Sequence, residues 1–334
     1  MRNQLLSLAI ILTLFSSFTL ATECSSIDTK VDITSSFKDV YDIANYTAAN
    51  LKAGETIYIT DTNRMLANDK RKVKDTHNPK YLNAVGKLKV MVNGKLANCS
   101  ATLTDTEEKR SSSIINSAEH CFNGKDFDPA DISSITWETF DNDGNKITRE
   151  ARILQLDEKT DTAILKLDKV VPFNKVKPLL VLEDLYYPTE GDTIEDLVDM
   201  WGTSATLAGY SADDLKGKGG KVLTYTDNLL FEDMEATYGS EDEVVTEVKA
   251  VSFGGASGGA LILRLNEEAR EELYLDPKND QELYLGVSIS VKSLGEDSTV
   301  LFRSGIAHGS SQTNVAGFDR FLKNDYKKFY NYNK

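Results

Sequence analysis

The chain of 334 residues is long enough for about two units of ordinary domain size, and with 40% hydrophobic and 27% charged residues it has the composition of a soluble globular protein. Its formal charge of −14 gives an acidic surface that repels nucleic acid and anionic membranes, which argues against partners of either kind. No metal or organic cofactor is indicated, because the cysteines are too few for a zinc cluster and no phosphate-binding glycine loop precedes a helix.

Residues 1–21 begin Met1-Arg2-Asn3-Gln4, run through LLSLAIILTLF and end on small residues at Thr19-Leu20-Ala21, the pattern of a cleaved export signal. Ser16 and Ser17 break the apolar run too early for a membrane span, so no stable membrane insertion is expected, and the location is secreted or periplasmic. Export places the three cysteines where disulfides persist. Cys99 and Cys121 lie 22 positions apart, and a bridge between them would contribute about 3 kcal/mol by restricting the unfolded chain, leaving Cys24 over.

Residues 22–80 are polar and weakly patterned, with a helix-like stretch DVYDIANYTAANLKAG and a basic cluster of Lys70, Arg71, Lys72 and Lys74. The cluster reads as a solvated loop open to a processing protease, which makes 22–80 a pro-region or N-terminal extension and the protein a candidate zymogen. From about Tyr81 the texture changes to short β-branched runs separated by turn residues: KLKVMV, SATLT, SIINSA, SITWETF, KITREARILQL, TAILKL, KVLTY, AVSF, ALILRL, LYLGVSISV and TVLFR. Such spacing predicts an all-β barrel or sandwich. Asp141-Asn142-Asp143-Gly144-Asn145 reads as a hairpin turn, with the glycine misplaced for a calcium loop. Residues 266–282 read as a charged surface excursion, and the tail VAGFDRFLKNDYKKFYNY as a terminal helix.

The stretch FGGASGGA (253–260) packs four glycines around Ser257. It could be a flexible linker, but its strand-like flanks place it inside a packed domain, where glycine lets the main chain approach another group closely. A serine hydroxyl becomes a nucleophile only with a base in reach and a third group orienting that base, and the chain offers His77, His120 and His308 as bases. One arrangement reads Gly255-Ala256-Ser257-Gly258-Gly259 as the nucleophile elbow of an α/β-hydrolase esterase, with Asp297 and His308 as partners. That arrangement wants a helix after the serine, where LILRL is strand-like. The other takes His120 from Ser117-Ala118-Glu119-His120-Cys121 and Asp161 from the head of the apolar DTAILKL run, with Ser257 last.

The order His120, Asp161, Ser257, the intervals of 41 and 96 residues, and the motifs SAEHC, DTAILKL and GGASGG resemble the chymotrypsin-fold, trypsin-like serine endopeptidases. NAVGKLKVMVNG, AGYS and KVLTYTD are closest in texture to the bacterial glutamyl-endopeptidase branch. The resemblance implies two packed antiparallel six-stranded β-barrels over 81–334 with a C-terminal helix, a site between the barrels, and polypeptide substrates; a monomer is expected. It also implies an oxyanion hole from the N–H groups of Gly255 and Ser257, a Cys99–Cys121 disulfide, and peptide-bond hydrolysis through an acyl-enzyme. Val251, Ser252, Ser288 and Ser290 become the substrate-binding candidates. Val251 stands where trypsin-like members carry an aspartate, which disfavours Lys or Arg substrates; Ser252 matches a hydroxyl residue of the glutamyl branch, and Ser288 stands where that branch has a histidine. Lys292, Arg303 or His308 could supply the missing cation, leaving Glu and small or apolar side chains open. Ala256 and Glu119 depart from the family pattern and keep a catalytically silent protease-fold binding protein as the alternative.

Overall fold

The computed structural model describes residues 56–58, 70–77, 79–123, 128–158, 161–181, 203–213, 216–230, 234–238, 244–248, 250, 252–292, 300–303 and 310–314. The export signal, Cys24, the helix-like stretch of the N-terminal extension and the C-terminal helix expected from the tail lie outside them. In chain order come β1 (Thr56–Tyr58), β2 (Lys72–Val73), β3 (Val85–Val92), β4 (Lys95–Asp105), β5 (Ser112–Ser117), β6 (Ile132–Phe140), β7 (Lys146–Asp157), β8 (Thr162–Val171) and β9 (Leu179–Leu180). They are followed by β10 (Ser204–Gly209), β11 (Thr224–Leu229), β12 (Met234–Tyr238), β13 (Val244–Val248), β14 (Ala260–Arg264), helix α1 (Glu267–Glu272), β15 (Leu283–Lys292), β16 (Val300–Arg303) and β17 (Ser310–Asn314). The all-β class read from the sequence is the class observed.

Strands β3, β4, β5, β8, β7 and β6 pair antiparallel in that order, and β6 returns to β3, closing a six-stranded barrel. Alternation drives this closure: β3 buries every second residue, so Leu88, Val90 and Val92 face inward while Lys87, Lys89 and Met91 are half-exposed. Leu103, Ile114, Ile115, Ile164 and Leu165 are wholly buried against them, and truncating any one to alanine costs about 2–5 kcal/mol. Trp137 is also fully buried; its indole N–H donates to the Ala101 carbonyl at 2.9 Å. The ring lies so close to Gly86 that a Cβ there would come within 2.2 Å of it.

Turn chemistry sets the register. Asn93 and Gly94 both have positive φ (50° and 75°) and join β3 to β4 as the two-residue turn that matches strand twist. The predicted turn at 141–145 joins β6 to β7. Asp141 accepts from the N–H groups of Asp143 (2.9 Å) and Asn145 (2.8 Å) and from Lys175 Nζ (3.2 Å). Burial alone would raise this carboxyl, but the bonds from Asn145, Lys175 and Asp143 hold it down at about 2.

The second half builds an antiparallel array in the order β2, β11, β10, β14, β15, β17, β13, β12. No ladder between β12 and β11 closes it among the described residues, and β1 pairs separately with β16. The two-residue β9 runs parallel to both β4 and β15 and stitches the halves together. Where AVSF read as a strand, the structure has β13 ending at Val248; Ser252 precedes the glycine turns and Phe253 begins the first of them. The 266–282 excursion is more firmly seated than its charge suggested. Asn266 caps α1 by accepting from Ala269 N–H at 2.7 Å, Arg270 is buried, and Gln281 Nε2 donates to the Pro178 carbonyl at 3.0 Å. No described helix is long and apolar enough to cross a membrane.

Candidate active site

His120 sits on a single 3-10 turn, Glu119–Cys121, that leaves the end of β5. Cys121 is bonded to Cys99 on β4, so the turn is tied covalently to the barrel wall. Asp161 stands directly before β8 with φ +48°, a left-handed conformation that Asp tolerates better than most residues. Its carbonyl accepts from Glu119 N–H at 3.1 Å, while its carboxylate accepts from His120 N–H (2.9 Å) and lies 2.7 Å from His120 Nδ1. A carboxylate only accepts, so the neutral ring carries its proton on Nδ1 and presents the Nε2 lone pair as a base.

Burial by itself pulls the His120 imidazolium down. The hydrogen bond and charge of Asp161, joined by the charge of Glu119, outweigh it, and the net pKa is raised above 6.5. Glu119 is buried at 5% exposure; burial raises its own pKa, helped by the Asp161 and Glu158 charges and opposed by a bond from Asn123 and by His120.

Ser257 comes from the other half of the molecule. Two consecutive turns carry it: Ala256 N–H bonds to the Phe253 carbonyl (3.0 Å) with Gly255 at φ +91°, and Gly259 N–H to the Ala256 carbonyl (2.8 Å) with Gly258 at φ +82°. Both have glycine in the third position, as a type II turn requires. The Ser257 carbonyl accepts from Ser100 N–H on β4 at 2.7 Å and lies 4.0 Å from Cys121 Sγ, so the main chain of the serine abuts the residue that follows His120. No hydrogen bond joins Ser257 Oγ to the ring among those of the described residues. Gly258 is required by close approach, since a Cβ there would meet the Ser100 carbonyl at 2.0 Å and Ser117 Oγ at 2.3 Å.

The same turns aim two amides. The Gly254 carbonyl accepts from Ala212 N–H at 2.7 Å, and because the peptide unit is planar and trans, the Gly255 N–H must point the opposite way. The Ala256 carbonyl points at Gly259 N–H, which likewise turns the Ser257 N–H away. Neither amide has a hydrogen-bond partner among the described residues. Two unspent donors beside a serine are what an oxygen acquiring negative charge requires. Ser100 braces the turn from behind, its hydroxyl donating to the Gly255 carbonyl (2.9 Å) and accepting from Tyr210 N–H (2.8 Å).

Of the substrate-binding candidates, Ser252 and Ser288 are buried at 6% and 3% exposure. Both line a cavity of about 10 Å³, the size of one water molecule, together with Ala256, Thr224, Tyr225 and Arg71. Ser290 lies on β15 opposite Gln312. Its side chain, Val251, Asp297, His308 and the side chains of Lys292 and Arg303 lie outside the described residues. Among the described residues no cluster of three or more His, Cys, Asp or Glu side chains could hold a metal ion.

Two residues that sequence reading missed stand behind the serine turn. Arg71 is 3% exposed, not the solvated member of a basic loop that its neighbours suggested, because its Nη1 reaches Asp213 Oδ1 at 2.6 Å. Lys70 and Lys72 are exposed as expected. No local signal marked Asp213, which stands 142 positions from its partner.

Solved structures similar to the chain include three proteases. Protease Anisep from Arthrobacter nicotinovorans is 13% identical, with 74% of this chain and 93% of that one covered at a TM-score of 0.44. The thermostable serine protease AL20 from an extremophilic microorganism is 13% identical over 75% and 98% of the two chains, with a TM-score of 0.46. The active form of the Rv3671c protease from M. tuberculosis is 16% identical over 72% and 80%, with a TM-score of 0.41. No protein-family model matches the chain, and no curated protein matches it.

Proposed function

We propose that the chain is an exported serine endopeptidase of the chymotrypsin-like, trypsin-like class, acting through His120, Asp161 and Ser257. The observation that carries the reading is the doubly bonded His120–Asp161 pair with the Ser257 turn hydrogen-bonded to the strand behind it. Ser257 Oγ attacks the carbonyl carbon of a peptide bond while His120 Nε2 takes its proton, and Asp161 stabilises the imidazolium without itself being protonated. The carbonyl oxygen becomes an oxyanion and accepts from the N–H groups of Gly255 and Ser257; each such donor contributes about 3 kcal/mol of transition-state stabilisation. His120 returns the proton to the leaving amine, leaving an ester on Ser257. Water, deprotonated by the same ring, then hydrolyses that ester. Export rests on the 1–21 signal pattern, and the glutamyl-endopeptidase assignment on NAVGKLKVMVNG, AGYS and KVLTYTD.

A fluorophosphonate probe tests the reading. The expected result is labelling at Ser257 that disappears in His120→Ala, together with hydrolysis of a peptide library. A folded protein that takes no label overturns it in favour of a silent binding protein. Labelling that survives His120→Ala but is lost in His308→Ala overturns it in favour of an esterase.

A further inference from the structure

The strand β2 extends the second half at its edge, with Val73 opposite Thr224 and Lys72 opposite Tyr225, and Lys74 N–H continues the ladder to the Leu223 carbonyl at 2.9 Å. This carries Arg71 into the interior beneath the serine turn. Its guanidinium does two things there. It pairs with Asp213, both side chains being at most 1% exposed, and it lies 4.7 Å over the ring of Phe253, the first residue of the turn. Asp213 in turn organises its own loop: Oδ2 accepts from Lys216 N–H (2.9 Å) and Gly217 N–H (3.0 Å), and its carbonyl accepts from Gly219 N–H (2.9 Å). Lys216 Nζ closes the circuit by donating to the Arg71 carbonyl at 2.7 Å.

The neighbour of Asp213 is Ala212, whose N–H holds the Gly254 carbonyl and so aims the Gly255 amide. One buried cation therefore reaches the oxyanion turn by two routes, directly by stacking on Phe253 and indirectly through Asp213, whose loop holds Gly254. We propose that Arg71 is a positioning residue that holds the Gly255 and Ser257 amides in their donor orientation, so that the strap of residues 70–75 is a working part of the site. The inference rests on the reading of Ser257 as the nucleophile. A purely structural ion pair would affect folding without selecting the chemical step. A positioning residue lowers kcat while leaving KM in place, because the oxyanion forms only in the transition state.

Three variants test this on the full-length protein with a peptide amide substrate. R71M, and R71M combined with D213L to replace the pair by apolar side chains that restore stability, are each expected to lose about 100-fold in kcat, the scale of one oxyanion donor, with KM within threefold. R71K keeps the buried charge but loses the planar stack, and about tenfold in kcat is expected; it decides the matter if the other two do not fold. Wild-type kcat in any variant with a cooperative unfolding transition overturns the proposal. An inactive, unlabelled wild-type protein instead overturns the peptidase reading itself, so the two failures are told apart.

Discussion

Asp161 holds His120 at two points, with one carboxylate oxygen on the main-chain N–H and the other at Nδ1. The ring can therefore neither rotate about its outer bonds nor swap tautomer without breaking a charge-assisted hydrogen bond.

Replacing that carboxylate by an amide should reverse the proton on the ring. Asp161→Asn presents an N–H to Nδ1 and drives the proton to Nε2, where the base is needed. The expected outcome is a loss of about ten-thousand-fold in kcat for peptide hydrolysis with the fold retained. Steady-state kinetics beside a circular dichroism spectrum check both parts.

Glu119 should shift the acid limb of the pH profile, as a smaller contributor than Asp161. The active ring is neutral, so activity rises with pH through the raised His120 pKa. Glu119→Gln removes one of the charges that raise it, and the limb should move to lower pH in a plot of kcat/KM. The stability consequence has the opposite sense: because the folded pKa lies above the unfolded value near 6.5, protonated His120 stabilises the fold fully below that pH, and the contribution is lost as pH rises through the folded pKa. Unfolding midpoints of wild type and His120→Ala across that window measure it.

Gly258→Ala should be among the most damaging single-methyl changes in the chain. It forces a side chain into positive φ and against a carbonyl 2.0 Å away, so Ser257 must shift or the β4 contact must open. A destabilisation of about 3 kcal/mol is expected from strain of this kind, read by urea denaturation, with activity lost even below the transition.

Opening the Cys99–Cys121 bridge should weaken the site as well as the fold. The closed loop spans 22 residues, so the double alanine variant is expected to lose about 3 kcal/mol of stability. Since Cys121 adjoins His120, kcat should fall in the folded variant too, and kinetics under native conditions would show it.

Much of this molecule can be read from local pattern. Alternation in KLKVMV places β3 correctly, and Asp141-Asn142-Asp143-Gly144-Asn145 turns where its residues require. The short motifs SAEHC and DTAILKL single out His120 and Asp161, whose side chains lie 2.7 Å apart. What escaped has a common cause. Arg71 looks like its exposed neighbours Lys70 and Lys72 until Asp213 is folded against it, and no composition reports a partner so distant in the chain. The two-residue strands β2 and β9 are too short to show a period. Ser100 follows a half-cystine in an ordinary strand, and its bracing role exists only because Gly255 and Tyr210 arrive from the other half. AVSF has strand-like residues, but the glycines after it claim its end for the turn.

The bond from Ser100 N–H to the Ser257 carbonyl crosses the seam between a barrel built from the first half of the chain and a loop belonging to the second. It works as a rivet. Sliding one half over the other would break this bond and displace the Ser257 main chain. The position of the serine is therefore tied to the packing of the first barrel as much as to its own turn.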